Sequence, residues 1–125
     1  MDLILWRHAE AVDGTPDHAR ELTPRGIKQA VKVADFLRPH LPDDCRILAS
    51  ASAQAVLHTA RWPDAGGTVL VVGHQPALGE VAAQLLGCDG YPLSVKKGAL
   101  WWFNRREREG SAHITLRLVI TPDFL

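Results

Sequence analysis

Two apolar runs constrain this chain most: LILW at residues 3–6 and TVLVV at 68–72. Both are too short for a buried helix and read as strands covered on two faces. Both also lead into side chains that a core would reject. Arg7-His8 follows the first run, and Gly73-His74 follows the second. CRILA at 45–49 is a third short strand of the same kind.

Helical patterns separate these strands. In LTPRGIKQAVKVADFLRPH, Thr23 is a good N-cap and Pro24 suits the first helical position. Ile27, Ala30, Val31, Ala34 and Leu37 recur at helical spacing, and Pro39 and Pro42 close the pattern. Residues 52–61 form a second expected helix, capped by Ser52, and 77–86 a third, closed by Gly87. The last third changes character. GALWWFNRRE and AHITLRLVI flank Arg108–Ser111, which reads as an antiparallel hairpin. The stretch Val12–Glu21, with Gly14 and Pro16, reads as a polar loop.

Strands alternating with helices, followed by a hairpin, predict an α/β fold. Its central sheet is mostly parallel, with helices on both faces and a C-terminal antiparallel hairpin at the edge. At 125 residues, with 46% hydrophobic and 22% charged content, residues 1–125 are expected to form one domain. Fourteen basic and fourteen acidic residues balance to zero formal charge. That leaves no general footprint for nucleic acid or an anionic membrane. No apolar stretch approaches the roughly 20 residues that span a bilayer. Met1-Asp2 opens without a basic leader region, and Cys45 and Cys88 form no CxxC pair. A cytoplasmic protein with reduced thiols is expected.

In open α/β sheets, ligands sit beyond the carboxyl ends of the strands. If the strands ending in His8 and His74 are neighbours, both imidazoles project into one crevice, and Arg7 comes with them. Neutral imidazole is a competent nucleophile toward phosphorus, and the covalent intermediate it forms can be broken by water. Phosphoryl transfer asks mainly for positioning and for positive charge around the equatorial oxygens. Arg7 offers a planar fork suited to phosphate, a protonated His74 a further donor, and the helix starting after Pro76 its free N–H groups. Arg20, in the polar loop, is placed to close over the site.

Other readings stand beside this one. A lone histidine after a strand is usually a surface or satisfied residue. A metal site at His8 and His74 lacks any HxH, HExxH or carboxylate cluster in support. His18, His40, His58 and His113 have no such context and read as structural or solvated. Trp101-Trp102 reads as edge-strand packing. Arg105, Arg106 and Arg108 alternate with Glu107 and Glu109, as a solvated turn would.

Arg7-His8-Ala9 together with Gly73-His74 resembles the motif pair of the histidine phosphatase superfamily, also called phosphoglycerate mutase-like. The small bacterial phosphohistidine phosphatases are the nearer likeness. The matching stretches are LILWRHAEA, ARELTPRGIKQA and TVLVVGHQPALGEVAAQLL, and Ala9 stands where the motif usually has glycine. The resemblance implies that His8 is the phosphorylated nucleophile. It also implies that Arg7, Arg20 and His74 contact the phosphate, and that no metal or organic cofactor takes part. The expected substrate is a phosphorylated protein (phosphohistidine) or a small phosphorylated molecule. Glu10 is near in sequence but is not assigned the role of acid; phosphohistidine is a good enough leaving group to need little acid help.

One departure is large. After the second strand the family carries a Ser-Pro-x-x-Arg-Ala segment whose arginine joins the pocket. Here Ser50 is followed by Ala51, and Gln54 stands where the arginine would be. Residues 52–67 resemble a later helix of the family instead, so a helix and its loops are missing near Ser50/Ala51. Either the protein is a shortened form, or a segment belongs between those two residues. A segment passed over there would leave their Cα atoms much farther apart than the ~3.8 Å of a trans peptide.

Overall fold

LILW forms the middle of β1 (Asp2–Arg7), the central strand of a five-stranded sheet. The computed structural model describes residues 1–14, 20–50 and 52–125. Along the chain follow α1 (Pro24–Leu37), β2 (Arg46–Ser50), α2 (Ala53–Ala60), β3 (Thr68–Gly73), α3 (Ala77–Leu85), β4 (Leu100–Arg108) and β5 (Ser111–Ile120). Across the sheet the order is β2-β3-β1-β4-β5. The first three strands run parallel, and β4 and β5 are antiparallel to their neighbours. The expected α/β architecture is the one observed.

Alternation along β1 divides the core. Leu3 and Leu5 pack with Val69, Val71 and Phe103 under α2 and α3, whereas Ile4 packs with Leu70, Leu100 and Trp102 under Val33 and Leu37 of α1. A strand whose successive residues all meet a helix layer must be apolar throughout, which is why LILW has no polar alternation.

Local signals place the helices. The Thr23 hydroxyl accepts from Gly26 N at 3.0 Å, with Pro24 in the first turn. The Ser52 hydroxyl accepts from Ala55 N at 3.1 Å. After Leu37 the chain tightens into a 3₁₀ turn at Arg38–His40. The hairpin turns through Glu109 and Gly110, both at positive φ (50° and 79°), as a tight two-residue connection between twisted strands requires.

The tryptophan pair needs a correction. β4 lies between β1 and β5, so Trp101 and Trp102 belong to an interior strand rather than the edge. Trp102 is buried on the α1 side, while Trp101 lies half-buried against the opposite cluster. The β5 hairpin arm supplies the edge instead. His18, Ala51 and the Ser50–Ala51 junction lie outside the described residues.

Candidate active site

β1 and β3 pair in register, with Arg7 opposite Gly73, and the next amide, His8 N, donates to Gly73 O at 3.1 Å. Both strands therefore deliver their polar residues at the same level. The His8 and His74 rings lie 4.3 Å apart between centroids, tilted by 56°. His8 and Arg7 are half-buried and His74 is exposed.

His8 Nδ1 sits 2.9 Å from the carbonyl of Ala9. A carbonyl can only accept, so Nδ1 bears the proton and Nε2 keeps its lone pair. Burial pushes the His8 pKa below its ordinary value. The Ala9 contact opposes this, and the nearby charges of His74, Arg7 and Arg20 push it further down. The ring is thus held neutral, the form that attacks phosphorus.

Arg7 is anchored through Nη1, which donates to Val95 O at 2.8 Å. Its Nε is buried and has no acceptor among the described residues. An unsatisfied donor on a buried cation is costly, and an oxyanion at this strand end would satisfy it. Burial also lowers the Arg7 pKa, although a guanidinium remains charged regardless. Arg20 donates from Nε to Val12 O at 2.6 Å and from Nη2 to Ala11 O at 3.3 Å. Those bonds set the Arg20 guanidinium against the residues just after β1, close enough to bear on the charge of His8.

Gln75, which follows His74, fixes the start of α3. Its Oε1 accepts from Gly79 N at 2.9 Å and its Nε2 donates to Leu93 O at 3.1 Å. Gly79 allows the approach, because a Cβ there would fall 2.1 Å from Leu93 O. Glu10 is engaged elsewhere: its carboxylate accepts from the Thr23 hydroxyl at 2.9 Å. No group of three or more His, Cys, Asp or Glu able to hold a metal occurs among the described residues. Gln54, at the expected arginine position, is exposed on α2.

No family model matches the sequence. An uncharacterized protein of Mycobacterium tuberculosis is 36% identical over 118 residues, covering 71% of this chain and 75% of that protein. A protein histidine phosphatase SixA complexed with tungstate superposes with a TM-score of 0.76 at 21% identity, over 99% of both chains. The chain has the fold of these histidine phosphatases. A phosphoserine phosphatase of Entamoeba histolytica shares the fold with a TM-score of 0.68 at 16% identity, over 99% of this chain and 98% of that one.

This fold gathers polar side chains at strand ends rather than on helix faces. The sequence singled out Arg7, His8, His74 and Arg20, and the structure brings these four around one strand end. It also brings residues that sequence reasoning passed over. Gly98 N donates to His8 O and Arg7 N to Ala99 O, both at 3.1 Å. Together with the Arg7–Val95 bond, they hold the Ser94–Gly98 loop beside the site, with Lys96 and Lys97 in it. The KKG run was the signal that could have pointed there.

Proposed function

We propose that the protein is a cofactor-independent phosphatase that removes a phosphoryl group, foremost from phosphohistidine of a protein, through a covalent intermediate on His8. The observation that carries this reading is the meeting of two imidazoles, 4.3 Å apart, at the end where Arg7 also sits. In the first step Nε2 of His8 attacks phosphorus in line, a P–N bond to His8 forms and the bond to the substrate's imidazole breaks. Arg7, His74 and Arg20 hold the phosphoryl oxygens. Water then attacks phosphorus, inorganic phosphate leaves, and neutral His8 returns.

The engagement of Glu10 favours phosphohistidine. Glu10 is tied to Thr23, and an imidazole leaving group departs with less proton assistance than an alkoxide. The likeness to SixA, a protein histidine phosphatase, points the same way. A cytoplasmic location agrees with this substrate, and no helix is long and apolar enough to cross a membrane among the described residues.

A segment belonging between Ser50 and Ala51 is part of the proposal. The mycobacterial match runs over 118 residues but takes in 71% of this 125-residue chain, about 89 residues, so it steps over residues with no counterpart here. Ile47 on β2 is 67% exposed beside that junction, as an uncovered sheet face would be.

Incubation with a phosphohistidine peptide labelled on phosphorus tests the reading. An acid-labile label on the wild-type protein, absent from His8→Ala, is expected. Label that persists in His8→Ala, or phosphate bound without any label, sinks the enzyme and leaves a phosphate-binding module.

A further inference from the structure

Beside the strand end lies a cleft of about 450 Å³ that the reaction itself does not need. Arg7 lines it together with Arg25, Lys96, Lys97, Gln29 and Asp123. In a chain of zero formal charge, four cations converge here against two carboxylates, Glu10 and Asp123, and one of the cations also serves the phosphoryl site. We propose that this cleft binds a second anionic group on the molecule that carries the phosphoryl, so that Arg25, Lys96 and Lys97 set substrate preference. The inference rests on the phosphatase reading above.

Three observations make the cleft a built feature. The Ser94–Gly98 loop is tied to the catalytic strand, since Arg7 Nη1 donates to Val95 O and Gly98 N to His8 O. The backbone that carries Lys96 and Lys97 is therefore held in place relative to His8. Gly98 holds a φ of +75°, and a Cβ there would meet the Pro122 ring at 2.7 Å, so the loop is also seated on the C-terminal 3₁₀ turn (Pro122–Phe124).

Arg25 occupies the first turn of α1, where no acidic residue is present. A cation at a helix N-terminus opposes the macrodipole, so this placement works against helix stability. It adds positive potential to the cleft. Asp123 lines the cleft with these cations. Its carboxyl is held below the usual carboxylate range, first by the Thr121 hydroxyl and also by Lys96 and Arg25. Asp123 thus already lies among these charges, while Glu10, the other carboxylate of the lining, accepts from Thr23; a substrate carboxylate or second phosphate would find the same cations.

The test compares three substrates at low salt: a phosphohistidine peptide with Asp and Glu beside the phosphorylated residue, the same peptide with Ala there, and free phosphoserine, a small monoester with its own carboxylate. p-Nitrophenyl phosphate, which has no second anion, is the reference. Wild type is expected to favour the acidic peptide over the Ala peptide in kcat/KM. In Lys96→Gln/Lys97→Gln that ratio should fall about three- to tenfold, as exposed ion pairs allow, and it should shrink with added salt. Asp123→Asn, which removes the competing carboxylate, should raise it. A parallel fall for phosphoserine over p-nitrophenyl phosphate identifies a small-molecule source, and a fall confined to peptides identifies a protein.

Equal ratios in wild type and the double variant overturn the proposal. Titration of His8→Ala with both peptides reads the cleft without turnover. Tighter binding of the acidic peptide, lost in the double variant, upholds the cleft even if no substrate is hydrolysed and the phosphatase reading fails. Equal affinities reject it.

Discussion

In the proposed reaction His8 must be neutral to attack phosphorus, yet it stands among the cations that would hold a phosphate. The same arrangement answers both needs. Burial disfavours the imidazolium first, and the positive charges of His74, Arg7 and Arg20 add to that. The sign of a substitution follows. In Arg20→Gln one repulsive charge is gone, so the His8 pKa should rise toward 6.5, its unperturbed value, while burial keeps it below. Imidazole chemical shifts followed through a pH titration by NMR measure this directly, and a pKa that stays put or falls contradicts the account. The acidic limb of the activity profile should move to higher pH with it. At this scale most of the site was legible, because Arg7, His8 and His74 stand where buried strands end and no core can take them. Their tautomer and protonation were not, since the Ala9 carbonyl and the degree of burial belong to the fold.

Helices and loops were legible where local chemistry specifies them. Thr23, Pro24 and Ser52 announce helix starts through hydrogen bonds spanning three residues, so no distant contact is needed to read them. Gly26 is different. A glycine inside a helix normally costs about 0.5–1 kcal/mol relative to alanine, and Gly26→Ala would be expected to stabilise α1. The structure reverses the sign, because a Cβ at Gly26 would lie 1.9 Å from Glu10 O. That carbonyl also accepts from Thr23 N at 3.0 Å and belongs to the turn directly after His8. Gly26→Ala should therefore destabilise the protein by about 1–3 kcal/mol, as overpacking does. Urea denaturation checks it, and a gain in stability would show that α1 can shift freely. The Ser94–Gly98 loop was not legible because it has no periodicity, and its position depends on bonds to residues almost ninety positions away.

The two faces of the sheet are covered unequally over the whole molecule. Ile47 pairs with Leu70 and shares its face, where α1 contributes Leu37, 2% exposed. Ile47 itself is 67% exposed, and Ile27 and Val31 of α1 are each 53% exposed. Burial decides the cost of substitution here. Leu37→Ala should cost about 2–5 kcal/mol, whereas Ile47→Thr should change stability by less than about 0.5 kcal/mol. Thermal or denaturant unfolding of the two variants makes the comparison. A large loss at Ile47 would mean that this face is covered after all, by association or by further chain.

The sequence by itself determined the alternation of strands and helices, the hairpin, and the exit of Arg7-His8 and Gly73-His74 from buried runs, because hydrophobic period and capping act over a few residues. Only the tertiary structure decided that β1 and β3 lie side by side, that Trp101 and Trp102 sit on an interior strand, and that Arg25, Lys96 and Lys97 share a cleft with Arg7. Strand order and loop placement depend on contacts between distant residues, whose free energy no local pattern encodes.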